Sequence, residues 1–256
     1  MSFGSICEPS ILAMDLQKDS VASMLQLAKK KQLEFLSNKP FPHIVLDGLF
    51  PDDVLEQVLK DVEGCDLPIR KSFFGSQGKF ANNDPWSLGA TARRFLVDLT
   101  SERFCRFLKE LTGVRGIIPD AYFDGGGIHE IRKGGFLKIH SDFNWHGRMK
   151  LDRRLNVLIY LNKDWDEEWG GNLELWDKTM EERVVRINPV FNRAVIFETS
   201  DISYHGHPDP LDCPESVVRR SLATYYYTNA RPTQEGKQQR RKTTDYKERP
   251  SESFER

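Results

Sequence analysis

No run of the 256-residue chain stays apolar for the length a membrane-spanning helix requires. The opening MSFGSICEPSILAMDL also lacks the basic start and continuous apolar core of a secretory signal. Both absences favour a soluble protein of a reducing, cytoplasmic compartment. Charge of one sign is missing too: 37 Lys and Arg stand against 38 Asp and Glu, so no global field draws the chain to nucleic acid or anionic lipid. Cysteine is scarce. Cys7, Cys65, Cys105 and Cys213 contain no C-x-x-C pair, which speaks against a thiolate zinc site and against a disulfide framework. There is no internal repeat.

What is present divides the chain by texture. Residues 1–38 form an amino-terminal segment in which Ser20 to Ser37 repeats apolar residues at helical spacing until Asn38-Lys39-Pro40 ends the run. Residues 39–115 read as a helical support region. HIVLDGLF is strand-like, and Pro51, Asp52 and Asp53 open a helix whose stripe is Val54, Leu55, Val58, Leu59 and Val62, with Gly64 as its stop. Two more helices are predicted over Ala90 to Leu99 and Phe104 to Leu111, with Thr100 or Ser101 as cap and Gly113 as terminator. Between Gly64 and Leu88 lies a turn-rich loop with Phe73, Phe74, Phe80 and Trp86, fit either to pack on the core or to cover a site.

From 116 to 232 the texture becomes short apolar runs punctuated by glycine, proline and asparagine, as in an all-β sandwich or barrel. Strands are expected at 127–131, 136–140, 155–161, 172–176, 183–187, 194–198 and 217–227, a count that suits a jelly roll. Residues 233–256 have almost no aliphatic side chains to offset ordering entropy and read as a disordered tail. The fold class is therefore α+β, with a β core in the carboxy-terminal half, an amino-terminal helical layer and one catalytic-size domain.

GGFLKIHSDFNWH places His140 and Asp142 two residues apart at the end of an apolar run, so on a strand both point to one face. An imidazole and a carboxylate so placed can share a metal ion, and a second histidine would complete the facial triad of non-haem Fe(II) oxygenases. RAVIFETSDISYHGHPDP offers His205, favoured because it comes first after a strand, with His207 as the alternative. A cupin-like site built on His205 and His207 lacks a suitably spaced glutamate. Farther on, VVRRSLATYYYT carries Arg219 and Arg220 on opposite faces of a strand, so one points inward. A buried guanidinium calls for an anion, and its fork matches a carboxylate. Arg219 is favoured, since Ser221 and Ala223 on its face leave room for an acidic ligand; Arg220 remains open.

With these residues in place, the chain resembles the Fe(II)- and 2-oxoglutarate-dependent dioxygenases. RLNVLIYLNKDWDEEWGGNLELW is similar to their prolyl 4-hydroxylase-like branch, and the resemblance covers roughly Pro40 to Pro232. It implies a double-stranded β-helix with Fe(II) held by His140, Asp142 and His205. It also implies 2-oxoglutarate as co-substrate, its distal carboxylate bound by Arg219 with help from Ser221 and Tyr160. The implied reaction uses dioxygen, releases succinate and carbon dioxide and hydroxylates a C–H bond, with ascorbate as reductant. Asp142 argues against halogenation, which needs that ligand position free. The implied substrate is a protein prolyl residue or an amino-acid-like small molecule. His129 reads as a core histidine bonded to backbone, and Asn144, Trp145 and His146 as candidate substrate contacts. The rival from another class is a catalytically silent β-sandwich that binds a protein partner.

Overall fold

The helical layer follows from caps and apolar stripes, in a computed structural model that describes residues 18–63, 65, 75–231 and 240–250. Cys7, the stop at Gly64, Phe73 and Phe74, and tail residues 232–239 and 251–256 lie outside them. Helix α1 spans Lys18–Ser37, α2 Asp52–Glu63, α3 Ala90–Leu99 and α4 Glu102–Thr112. Asp52 and Asp53 sit in the first turn of α2, where carboxylates complement the helix dipole. Ser101 caps α4 by accepting the Phe104 N–H, and Gly113 ends it in the left-handed conformation at φ 74°. Phe95, Leu96 and Leu99 of α3 and Phe104, Phe107 and Leu111 of α4 are buried in one core with the sheet. Among the described residues no helix is long and apolar enough to cross a membrane.

The strands in chain order are β1 (His43–Asp47), β2 (Ser76–Asn82), β3 (Ile118–Pro119), β4 (Gly127–Ser141), β5 (Trp145–His146) and β6 (Leu151–Tyr160). They continue with β7 (Leu173–Trp176), β8 (Arg183–Ile187), β9 (Arg193–Glu198), β10 (His205–His207), β11 (Arg219–Thr228) and β12 (Asp245–Tyr246). The main path runs β1-β9-β6-β11-β4-β10-β7-β8, with antiparallel pairing throughout. This sheet curls into a jelly-roll half-barrel backed by the helices.

Strand β4 links the two faces of the roll. Its start, Gly127 to Ile131, pairs with β11, whereas Leu137 and His140 pair with β10. The segments 127–131 and 136–140, expected as separate strands, are therefore one bent strand. The bend lies at Gly134, with φ 73°, and Gly135, where a Cβ would stand 2.7 Å from Ile131 Cγ2 and 2.8 Å from the Arg132 carbonyl. Leu211 secures it, accepting from Gly134 N–H at 2.8 Å and donating to the Gly135 carbonyl at 3.0 Å. Gly135→Ala is expected to destabilise the protein by about 1–3 kcal/mol through this backbone crowding, read as a lower urea midpoint with unchanged slope.

Part of the aromatic loop is strand β2, which pairs with β4 from Leu137 to Ile128. Its sequence SQGKFAN has no aliphatic alternation, and backbone bonding to β4 rather than apolar burial orders it. Residues 240–250 also depart from the expected disordered tail, since β12 pairs with β4 at Ser141 and His140. Composition misleads there because cationic and backbone contacts hold the segment in place of an apolar core.

Candidate active site

Pairing of β4 with β10 sets His140 opposite His205, and their ring centroids stand 4.5 Å apart. Asp142 follows directly after the same strand. One ligand atom from each of His140, Asp142 and His205 lies within 4.8 Å of the others. The histidine Nδ1–H groups donate to backbone carbonyls, His140 to Lys138 at 2.8 Å and His205 to Ser203 at 2.9 Å. That fixes the tautomers and turns both Nε2 lone pairs inward, the arrangement metal-binding imidazoles adopt. The His140 Nε2 stands 3.6 Å from Asp142 Oδ1 and the His205 Nε2 3.4 Å from Asp142 Oδ2. Two inward ring nitrogens around one carboxylate form a donor set that suits a divalent metal with open positions. Burial, reinforced by His205, pushes the His140 pKa down and keeps its ring neutral.

Two residues that the sequence did not single out hold the carboxylate. Asp142 Oδ2 accepts from Asn156 Nδ2 at 2.7 Å and meets Arg153 Nη2 at 3.0 Å. Arg153 also donates to Asn156 Oδ1, through Nε at 3.0 Å and Nη2 at 2.7 Å, and lies over the Tyr225 ring at 3.5 Å. Burial works against the Asp142 charge, but Arg153 and the histidines outweigh it and hold the carboxyl well below its ordinary range. Strict strand alternation puts Arg153 and Asn156, three apart, on opposite faces. A register shift in β6, where Tyr226 faces Leu155 but Tyr227 faces Arg153, skips Arg154 and brings them together. The sequence carries no signal for that bulge. Arg153→Met is expected to weaken Fe(II) binding about 10- to 100-fold, measured by anaerobic titration, because the carboxylate loses its orienting partner.

A cavity of about 390 Å³ holds the triad together with Arg219, Tyr160 and Ser221. Arg219 is buried, donates from Nε to the Gly171 carbonyl at 2.7 Å and reaches Tyr160 Oη at 3.4 Å from Nη2. Gly171 makes this approach possible, since a Cβ there would lie 2.9 Å from Arg219 Cδ. Burial lowers the Arg219 pKa and raises that of Tyr160, yet the guanidinium remains charged. Among the described residues no carboxylate pairs with it. Arg220 points the other way, to Glu130 at 2.6 Å and Glu63 at 3.2 Å. The alternation argument thus places one arginine in the cavity and the other in a surface ion-pair cluster.

The remaining candidates separate as follows. His207 lines the cavity outside the triad, where burial and the nearby Arg219 hold its pKa well below the usual value. His129 donates from Nε2 to the Gly125 carbonyl at 3.0 Å and also lines the cavity. Asn144, Trp145 and His146 do not line it, contrary to expectation. Asn144 is buried and bonded to Asp201 at 2.7 Å, the buried His146 faces Asp120 at 3.4 Å, and Trp145 lies under Arg240 at 3.6 Å. The chain turns away from the cavity after Phe143, where the Asn144 carbonyl accepts from the Arg153 N–H at 2.9 Å.

Comparison with known proteins agrees with this geometry. Residues 126–227 match the family model of the 2OG-Fe(II) oxygenase superfamily. Over 79 residues the chain is 32% identical to mouse prolyl 3-hydroxylase OGFOD1, a match covering 29% of this chain and 14% of that protein's length. A prolyl hydroxylase from Trichoplax adhaerens, solved in complex with a hypoxia inducible factor peptide fragment, shares the fold. Its TM-score is 0.58 at 17% identity, over 82% of this chain and 93% of that one. HygX from Streptomyces hygroscopicus, solved with nickel and 2-oxoglutarate bound, gives a TM-score of 0.55 at 12% identity, over 78% and 87% of the two chains. The family match falls on the strands that carry the triad and Arg219, so in its β core the chain is similar to the 2OG-Fe(II) oxygenase superfamily.

Proposed function

We propose that the protein is an Fe(II)- and 2-oxoglutarate-dependent dioxygenase that hydroxylates an unactivated C–H bond and releases succinate and carbon dioxide. The observation that carries this is one cavity holding both a His-Asp-His donor set and a buried arginine that no carboxylate among the described residues pairs with. His140, Asp142 and His205 would hold Fe(II), which when bound supplies the activation of dioxygen. Arg219 would bind the distal carboxylate of 2-oxoglutarate through its fork, with the Tyr160 and Ser221 hydroxyls beside it. The backbone bonds to His140 and His205, and the Arg153 and Asn156 contacts to Asp142, would keep the donors in place through turnover. Burial of His140, His205, Tyr160, Arg219 and Ser221 would limit bulk water at the oxidising step.

The substrate would be a prolyl residue or an amino-acid-like small molecule, a reading supported by the prolyl hydroxylases among the similar proteins. Ascorbate would serve as reductant. A cupin-like site is disfavoured because His207 stands outside the cluster, and a silent sandwich because the donor set and the arginine share one cavity. The test incubates purified protein with Fe(II), ascorbate and 2-oxoglutarate, with free proline and a prolyl peptide as probes, and measures succinate. Succinate formed only when both iron and 2-oxoglutarate are supplied is the expected result. Failure to bind either metal or 2-oxoglutarate sinks the proposal.

A further inference from the structure

Residues 240–249 border the cavity, and Thr243, Thr244 and Tyr246 form part of its lining. The segment is fastened at several points. Strand β12 pairs with β4 at the register positions Asp245 with Ser141 and Tyr246 with His140, and Lys247 N–H donates to the Ile139 carbonyl at 2.8 Å. Arg241 is the main anchor. Its N–H donates to Asn144 Oδ1 at 2.7 Å, while its carbonyl accepts from Asn144 and Trp145 N–H, each at 3.1 Å. Its guanidinium reaches Ser141 Oγ at 3.0 Å, Asp201 at 2.9 Å and Asp245 at 2.9 Å. Arg249 pairs with Asp209 at 2.8 Å. A single exposed pair contributes little. Here one guanidinium shared by three acceptors adds to backbone bonds on the same residue, so the contacts support one another.

Tyr246 sits in a fitted socket. Its ring centroid lies 5.5 Å from that of His140, and a Cβ placed on Gly75 would overlap the tyrosine ring. Gly75 has φ 92°, so both its conformation and its missing side chain suit this contact. Burial raises the Tyr246 pKa, and the nearby Asp142 charge adds to the shift. An unpaired strand edge at this place would let an extended peptide add itself to β4. The chain's own β12 takes that edge.

We propose that residues 240–249 are a fixed substrate-side wall of the site, and that Tyr246 is the specificity-determining residue controlling what reaches the His140 and Asp142 side of the cavity. The substrate class follows: a compact side chain or small molecule entering past Tyr246, not a strand added to β4. Asn144 and Arg241 act as positioning residues for this wall. The inference rests on the oxygenase reading above.

The test uses full-length protein loaded anaerobically with Fe(II) and 2-oxoglutarate, with 2,2′-bipyridine as an iron-stripping probe. Tyr246→Ala is expected to lose iron at least about tenfold faster than wild type, while its 2-oxoglutarate affinity stays within about threefold. Tyr246→Phe, which keeps the ring, is expected to match wild type. In parallel, wild-type amide exchange should show the Lys247, Asn144 and Trp145 N–H groups protected by about a hundredfold or more, with Asn144→Ala removing the protection at Lys247. Equal stripping rates in wild type and Tyr246→Ala, or a Lys247 amide that exchanges freely in wild type, would overturn the proposal. Failure of the wild type to load iron and 2-oxoglutarate counts against the oxygenase reading instead, and the exchange measurement still decides the wall.

Discussion

Asp142→Ala is expected to abolish hydroxylation and to weaken Fe(II) binding by about a hundredfold or more, because it removes the only carboxylate of the donor cluster. Wild-type protein at a metal concentration of about 100 times Kd gains roughly 2.7 kcal/mol of stability from binding. The variant should lose that gain, so its melting temperature would no longer respond to added metal. The same substitution also leaves Arg153, now 3.0 Å from Asp142 Oδ2, buried without its anion, at a cost of about 3–5 kcal/mol. Asp142→Asn separates the two effects. An amide oxygen can still accept from Arg153, so the fold is kept better than in the alanine variant while metal affinity remains lost. Wild-type metal affinity in the asparagine variant would remove Asp142 from the proposed ligand set. The sign of the pH dependence follows from the lowered Asp142 pKa. The Arg153 pairing contributes stability that is fully present above the ordinary carboxylate value of 3.8 and is lost as pH falls through the lower folded value.

Arg219→Ala is expected to weaken 2-oxoglutarate binding by two orders of magnitude or more, since truncating one partner of a buried charge pair costs about 2–5 kcal/mol. Arg219→Lys should rescue little of this. Lysine presents a point charge without the planar fork, and the Arg219 stem is fitted against Gly171, whose carbonyl accepts from Nε at 2.7 Å. Pyruvate gives the control, because it keeps the 2-oxo acid but lacks the distal carboxylate. Titration of metal-loaded protein should show weak and nearly equal pyruvate binding in wild type and variant, with a large gap for 2-oxoglutarate alone. Equal 2-oxoglutarate affinity in the two proteins would clear Arg219 of this role. Arg220→Ala is expected to leave affinity unchanged, because Arg220 is spent on Glu130 and Glu63 away from the cavity.

Helix positions were legible because local rules govern them: Ser101 and Gly113 bound α4 through hydrogen bonds and backbone angles that need no distant partner. The strands of the roll were legible where aliphatic side chains fill a buried face, as at Leu155, Val157 and Ile159. Strands β2 and β12 were not, because their sequences bury little apolar surface and each depends on backbone bonding to β4. The expected substrate contacts at Asn144 and His146 failed for a related reason. Nearness in sequence to a metal-binding pair says nothing of direction once the chain turns, and both side chains are buried away from the cavity.

By itself the sequence determined the chemistry available: an imidazole and a carboxylate two apart on a strand, a later histidine pair, and two adjacent arginines that alternation must send to opposite faces. These follow from residue type and period. Only the tertiary structure decided which members meet. Pairing of β10 with β4 sets His205, not His207, against His140, the shift at Arg154 carries Arg153 to Asp142, and the cavity receives Tyr246 from a strand more than a hundred residues farther along the chain. Strand register and chain crossing are collective outcomes of packing over the whole sheet, so no local pattern encodes them.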